Sequence, residues 1–107
     1  MELGKIYVNQ TAVKLIITTG VDFLVNELSS AKVKLINTSL NNAILKEWNA
    51  NLLNPPGSDG KLYVDFDDTK KFDTAGIWKI WVEVVFSNNK KAFSKPFLYK
   101  VDNEGGL

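Results

Sequence analysis

The segment from residue 77 to residue 86 constrains the fold of this chain more than any other segment. Its alternate residues form a wholly apolar set, whereas the residues between them include charged side chains. A period of two with one apolar face is the pattern of a β-strand on a hydrophobic core, and β-branched and aromatic residues suit such a strand. We therefore predict a strand whose inward residues are Trp78, Ile80, Val82, Val84 and Phe86.

Six other segments have strand patterns, and turn-forming residues separate them. They cover residues 5–8, 12–19, 31–37, 43–50, 61–66 and 96–101. The predicted inward residues are Val13, Leu15, Ile17, Ala31, Val33, Leu35, Leu62, Val64, Phe66, Phe97, Tyr99 and Val101. Residues 87–90 are typical of a hairpin turn, and Pro96, which donates no ladder hydrogen bond, belongs at a strand start, a bulge or a sheet edge. Residues 22–30 are compatible with a short helical turn.

Seven short strands in 107 residues, with no amphipathic pattern of helical length, indicate an all-β fold. We predict an immunoglobulin-like antiparallel β-sandwich of about seven strands. The length suits one domain, so residues 1–107 are expected to share a single hydrophobic core.

Composition argues against several classes of function. The chain has no histidine and no cysteine, which removes the usual catalytic base, the thiol nucleophile and thiolate metal ligands. Its formal charge is +1 and all thirteen basic residues are lysine, so the chain lacks both the positive field and the arginine fork that favour nucleic acid. No window approaches the ~18 apolar residues of a membrane helix. We therefore predict no enzyme activity, no catalytic residue, no cofactor, and no binding to nucleic acid or membrane.

Aspartates form the one cluster that suggests chemistry. They are Asp65, Asp67, Asp68 and Asp73, with Asp59 before them. Carboxylates at close spacing are calcium ligands, but the ordered glycine and Asp/Asn positions of a helix-loop calcium site are missing, and aspartate is a common turn residue. A carboxylate pair for glycoside hydrolysis needs an apolar pocket around its acid, which a hydrophilic loop does not promise. We favour turn formation and predict no metal site.

The outward residues of the segment 77–86 include large apolar side chains. Trp81 lies between Lys79 and Glu83, with Ile77 and Val85 on the same face, and a contiguous exposed patch that contains tryptophan usually marks a contact surface. Outward residues of two other strands, expected to be neighbours, extend the patch. The predicted interface therefore consists of Trp81, Ile77, Val85, Ile16, Ile36, Lys79 and Glu83. Alternatively, the stems of flanking lysines cover the indole within a monomer.

Five segments carry a resemblance to a known family. They read Lys5-Ile6-Tyr7-Val8-Asn9-Gln10-Thr11-Ala12, Thr18-Thr19-Gly20-Val21-Asp22, Glu47-Trp48-Asn49-Ala50, Gly60-Lys61-Leu62-Tyr63-Val64-Asp65-Phe66 and Ala75-Gly76-Ile77-Trp78-Lys79-Ile80-Trp81. In this order they resemble small immunoglobulin-like virion proteins of tailed phages and prophages, and the chain is similar to the N-terminal domain of phage baseplate upper proteins. One departure is the segment 37–42, where members of that family often have a Lys-Pro-Asp-Gly turn. That departure leaves the local hairpin geometry open.

The resemblance implies a non-enzymatic structural protein of the phage particle: a capsid decoration, neck, tail or baseplate component. Its partners would be other virion proteins, in multiple symmetry-related copies, with a homo-oligomer as one arrangement. Its location would be the virion, after synthesis in the host bacterial cytoplasm. A second hypothesis, from a different class, is a carbohydrate- or cell-surface-binding module that uses Trp81 or Trp48 as a sugar-stacking platform.

Overall fold

The chain folds into two antiparallel β-sheets. The computed structural model describes residues 6–19, 28–53 and 60–103, and within these ranges it contains eight strands and no helix. The strands are β1 (Lys14–Thr18), β2 (Leu28–Asn37), β3 (Lys46–Asn49), β4 (Asn51–Leu52), β5 (Lys61–Asp65), β6 (Gly76–Phe86), β7 (Lys91–Phe93) and β8 (Phe97–Val101). The predicted all-β fold class is confirmed.

The two sheets differ in size and in strand order. The three-stranded sheet has the order β1-β5-β4. In the five-stranded sheet β3 pairs with β2 and β2 with β6, while β7 and β8 both pair with β6 along its other edge. All of these pairings are antiparallel. The long strand β6 is therefore the centre of the larger sheet.

Several predicted strand limits differ from the observed ones. The predicted strand 5–8 is wrong for its described residues, which form only an isolated parallel bridge between Tyr7 and Asp102. The predicted strand 43–50 is replaced by β3 and, in the other sheet, β4, because the chain changes sheets at Ala50. Residues 28–30 are strand and not a helical turn, and residues 22–27 lie outside the described part of the chain.

One cluster of buried hydrophobic side chains contains residues from both sheets. Every predicted inward residue of β6 is buried. The cluster of buried side chains also contains Leu15, Ile17, Leu62 and Val64 from the smaller sheet, and Ala31, Val33 and Leu35 from β2. The alternation in the sequence therefore predicted correctly which face of each of these strands is buried.

Phe72, in the connection from β5 to β6, lies at the centre of an aromatic cluster. The residue is fully buried, and its ring centroid lies 5.1 Å from Trp78, 5.5 Å from Phe66 and 6.0 Å from Tyr99. Aromatic pairs at such distances stabilise a core beyond their buried area. Sequence analysis missed Phe72, because an isolated aromatic residue in a polar loop has no periodic pattern around it.

The predicted hairpin after β6 is confirmed. Asn89 has a φ of 65° in the turn between β6 and β7, and asparagine tolerates this conformation better than most residues. Pro96 lies between β7 and β8, at the break that divides this edge of the sheet into two strands. Just before it, the Ser94 backbone N–H donates to the Val82 carbonyl (2.9 Å), and the Val82 N–H donates to Ser94 Oγ (2.8 Å).

A buried asparagine joins the end of β2 to the start of β6. The Asn37 side chain donates to Thr74 Oγ1 (2.9 Å) and to the Ala75 carbonyl (3.0 Å), and its Oδ1 accepts from the Ser39 N–H (3.0 Å). Gly76 packs directly against this group with a φ of 140°, and a Cβ there would lie 2.6 Å from Asn37 Oδ1. Only glycine therefore fits at position 76 without a shift of its neighbours.

Candidate protein-contact surface

The side of the five-stranded sheet that faces away from the core is called the outer face here. Strand β6 places five residues on it: Ile77, Lys79, Trp81, Glu83 and Val85. From β2, Lys34 lies opposite Trp81 and Ile36 lies opposite Lys79 in the register of the sheet. Six of the seven residues predicted as an interface therefore share this face: the five from β6 and Ile36.

Strands β7 and β8 add the most exposed apolar side chains of the outer face. Phe93 pairs with Glu83 and is 60% exposed, and Leu98 pairs with Lys79 and is 67% exposed. On β6 itself, Ile77 is 43% exposed. Sequence analysis did not list Phe93 or Leu98. Leu98 had a signal, since inward Phe97 and Tyr99 leave it outward, whereas Phe93 lies on a three-residue strand too short to show a period.

Trp81 is less exposed than the interface hypothesis assumed. It is half-buried, and the Lys79 ammonium nitrogen lies 5.6 Å from the centroid of its ring. A lysine in this position is attracted to the ring face and covers part of it. Lys79 therefore covers part of the indole within the monomer, as the alternative expected, and the rest of the ring stays exposed among the more exposed apolar residues.

Ion pairs join several charged residues of the outer face, whereas Lys32 and Lys79, on the same face, take part in none within the described residues. Lys34 Nζ lies 2.7 Å from Glu83 Oε2 and 3.4 Å from Glu47 Oε1, and Lys91 Nζ lies 3.7 Å from Glu83 Oε1. The hydrogen bond from Lys34 holds the pKa of Glu83 below its ordinary value, and the same bond raises the pKa of Lys34. These pairs cross four neighbouring strands, so the polar residues of this face are held in place by the sheet.

Ile16 does not belong to this surface. Its strand, β1, lies in the three-stranded sheet, where Ile16 pairs with Tyr63, and not in the sheet that carries the outer face. The expectation that Ile16 and Ile36 lie on neighbouring strands is wrong. Both residues are apolar and occupy outward positions of their strands. The alternation in the sequence identifies such positions, but it does not show which sheet a strand belongs to.

Trp48 is not a surface residue either. It is buried, and its ring makes an edge contact with Phe66 at a centroid distance of 5.3 Å. The hypothesis that Trp48 forms an exposed sugar-stacking platform is therefore wrong. The residue lies opposite Val33 in the register of β2 and β3, on the core side of the sheet.

Three aspartates of the predicted cluster, Asp65, Asp67 and Asp73, have structural contacts of their own. Asp67 Oδ1 accepts hydrogen bonds from the Thr69 hydroxyl, the Thr69 N–H and the Lys70 N–H, and these bonds lower the pKa of its carboxyl group. This is the turn role that the sequence favoured. Asp73 pairs with Lys46, and Asp65 lies 4.0 Å from Lys14 Nζ. Asp59 lies outside the described residues, and among the described ones no three acidic side chains are arranged to hold a metal ion.

No family model matches the chain, and no curated protein or solved structure matches it. Within the described residues, no helix is long and apolar enough to span a membrane. The fold and the surface therefore define the chain by class: an all-β protein of two antiparallel sheets, with exposed apolar residues on the outer face of the larger sheet.

Proposed function

We propose that this chain is a non-enzymatic structural protein of a bacteriophage particle, and that it binds neighbouring virion proteins through the outer face. The observation that carries the proposal is the exposure of Ile77, Phe93 and Leu98 around the half-buried Trp81. Single exposed apolar residues are ordinary, but several on one face of a sheet form a patch of the kind that marks a contact site.

The charges around the patch suit a protein interface. Lys34 and Lys91 are paired with Glu83 beside Trp81, whereas Lys32 and Lys79 leave an excess of positive charge on this face. Protein interfaces have an apolar centre within a polar rim, and their centres are depleted in unpaired charge. In this arrangement Trp81 is the anchor, and Lys79 and Glu83 form the rim beside it.

The strand order supports an immunoglobulin-like sandwich as the scaffold of this surface. In that fold strands B, E and D lie in one sheet and C, F and G in the other, with an additional C′ strand beside C in some members. The order β1-β5-β4 corresponds to B-E-D, and the order β3-β2-β6, followed by β7 and β8, corresponds to C′-C-F-G. The single-domain assignment over residues 1–107 and the immunoglobulin-like topology form part of this proposal.

The phage assignment rests on the family resemblance of the sequence. That resemblance supports a capsid decoration, neck, tail or baseplate component, and we include multiple symmetry-related copies in the proposal. A carbohydrate-binding module is a weaker candidate, because Lys79 covers part of the Trp81 ring and Trp48 is buried. A sugar-stacking platform needs an open aromatic face.

The substitution Trp81→Ala tests the proposal, with Tyr63→Ala as a matched control. Tyr63 is the counterpart of Trp81 on the smaller sheet: a half-buried outward aromatic residue with Lys14 Nζ 4.5 Å from its ring centroid. We expect both variants to fold, Tyr63→Ala to enter particles at the wild-type level and Trp81→Ala to be lost from them. Incorporation of both variants at the wild-type level would contradict the proposal, and loss of glycan binding by a Trp81→Ala variant that still assembles would favour the carbohydrate module.

A further inference from the structure

A cleft opens at the end of the molecule where β6 begins. It measures about 170 Å³ and is lined by the loop after β2 and by residues near the start of β6. Its lining residues include Leu40, Ala43, Ile44, Lys46, Asp73 and Trp78. Ile44 is 79% exposed, and Leu40 is exposed as well, so this loop presents apolar side chains that the core does not use.

The size of the cleft suits one aromatic ring, and its lining combines apolar side chains with the polar residues Asn37, Asn42 and Thr74. An apolar cavity of roughly 150 Å³ lined by aliphatic and aromatic side chains binds benzene, whereas sites for larger ligands measure roughly 300–1,000 Å³. Trp78 is one of the residues that line the cleft, and Lys46 Nζ lies 6.0 Å from the centroid of its ring. A phenyl ring in this space would contact aliphatic carbon on one side and lie near an ammonium group on the other.

Phe93 is an exposed phenyl ring on the same chain. It is 60% exposed, and the backbone that carries it is fixed by its pairing with Glu83 and by the two hydrogen bonds between Ser94 and Val82. A backbone held in position before binding loses little conformational freedom when the side chain that it carries enters a pocket. Phe93 therefore has the properties of an interface anchor.

Phe93 cannot enter the cleft of its own chain. It lies beside Glu83, five residues along β6 from Trp78, which corresponds to about 17 Å at the rise of an antiparallel strand. Phe93 also lies on the outer face, whereas Trp78 points to the core. Contact between this ring and this cleft therefore requires two molecules.

The charges near the two features are complementary. Residues 90–100, which carry Phe93, contain four lysines and no acidic residue. Residues 65–73, which precede the start of β6 and contribute Asp73 to the cleft, contain four aspartates and two lysines. A positive segment on one copy is attracted to a negative segment on the next, which orients the two molecules before the ring enters the cleft.

We propose that the cleft binds the phenyl ring of Phe93 from a second copy of this chain. The contact joins two different surfaces of the molecule, the cleft of one copy and the outer face of the next. Such a heterologous contact leaves a free cleft at one end of a pair and a free Phe93 at the other, so it can be repeated. This inference rests on the proposed function, because it names a second copy as the protein that covers the outer face.

The test is sedimentation velocity of the full chain up to about 1 mM, a range in which even a weak contact populates the pair. We expect the wild type to associate as its concentration rises. Phe93→Ser and Ile44→Lys, both at exposed positions, should each weaken association by at least about tenfold, whereas Tyr63→Ala should leave it unchanged. An equimolar mixture of Phe93→Ser and Ile44→Lys should form pairs again, because one chain has an intact cleft and the other an intact Phe93.

A wild type that stays monomeric over the whole range would overturn the inference, as would two variants that associate as the wild type does or a mixture that forms no pairs. These outcomes are separate from those of the particle experiment. A monomeric wild type, together with loss of Trp81→Ala from particles, would remove the second copy as partner and leave the proposed function standing. Association through the cleft, together with normal incorporation of Trp81→Ala, would support the contact between two copies and contradict the proposed function.

Discussion

Trp78 and Trp81 lie three residues apart on β6, and the sheet gives them opposite environments. Trp78 is buried against Phe72, and its indole N–H donates to the Thr74 carbonyl at 3.1 Å. Trp81 is half-buried on the outer face beneath the ammonium group of Lys79. Because an odd separation reverses the side of a strand, the sequence alone assigns one tryptophan to stability and the other to the surface.

Alanine substitution should separate these two roles. We expect Trp78→Ala to lower the free energy of unfolding by about 3–5 kcal/mol, since it leaves a large cavity among rigid aromatic neighbours. Trp81→Ala should lower the free energy of unfolding far less, because water can fill the space that the side chain leaves. Urea unfolding of the two variants measures both values, and equal losses would contradict the assignment of faces.

At the scale of the element, periodicity predicted burial well and strand limits less well. The alternation in β6 identified all of its inward residues, because a long strand on a core repeats its pattern several times. The two-residue β4 and the three-residue β7 have no room for such a pattern. Tertiary contacts set their limits. The strand β4 begins where the chain changes sheets at Ala50, and β7 ends at the hydrogen bonds between Ser94 and Val82.

The ion pair between Lys34 of β2 and Glu83 of β6 should make stability depend on pH. The pKa of Glu83 is lowered from 4.5, so its contribution is present above that value and is lost as the pH falls through the lower folded-state pKa. The pKa of Lys34 is raised from 10.5, so its contribution is present below that value and is lost at higher pH. The pair therefore supports the fold between these two limits.

We expect Glu83→Gln to flatten the acid side of this profile. The melting temperature of the variant should fall less than that of the wild type between about pH 5 and pH 3. Glu47→Gln is the control, since Glu47 is the more distant partner of Lys34, at 3.4 Å against 2.7 Å, and it should retain a slope close to that of the wild type. If the melting temperatures of Glu83→Gln and the wild type fall with the same slope, the ion pair does not contribute to the pH dependence of stability.

At the scale of the whole molecule, the arrangement of strands was beyond prediction from periodicity. A period of two identifies the face that is buried, but strand partners depend on contacts between residues far apart in the sequence. This is why Ile16 was grouped with Ile36, although β1 pairs with β5 and β2 with β6. The outer face was predicted from β6 and completed only by Phe93 and Leu98, which the fold brings to the same side.

Calcium should have no effect on the stability of the molecule. The oxygen Oδ1 of Asp67 accepts three hydrogen bonds within its own turn, and Asp73 is paired with Lys46, so neither is arranged as part of a set of metal ligands. We expect the same melting temperature in chelator and in calcium at millimolar concentration. A clear rise in calcium would overturn this prediction, because a ligand that binds only the folded state stabilises it.

The most direct test of the central claim is the reactivity of surface lysines in assembled particles that contain this protein. Lys91 and Lys100 lie on the outer face, and their side chains are 58% and 75% exposed. Lys14 lies on the smaller sheet, and its side chain is 47% exposed. All three lysines should therefore be acetylated in the free protein. In particles, measured by mass spectrometry, we predict strong protection of Lys91 and Lys100 and continued labelling of Lys14. Labelling of Lys91 and Lys100 in particles at the rate of the free protein would contradict the claim that the outer face binds a neighbouring protein.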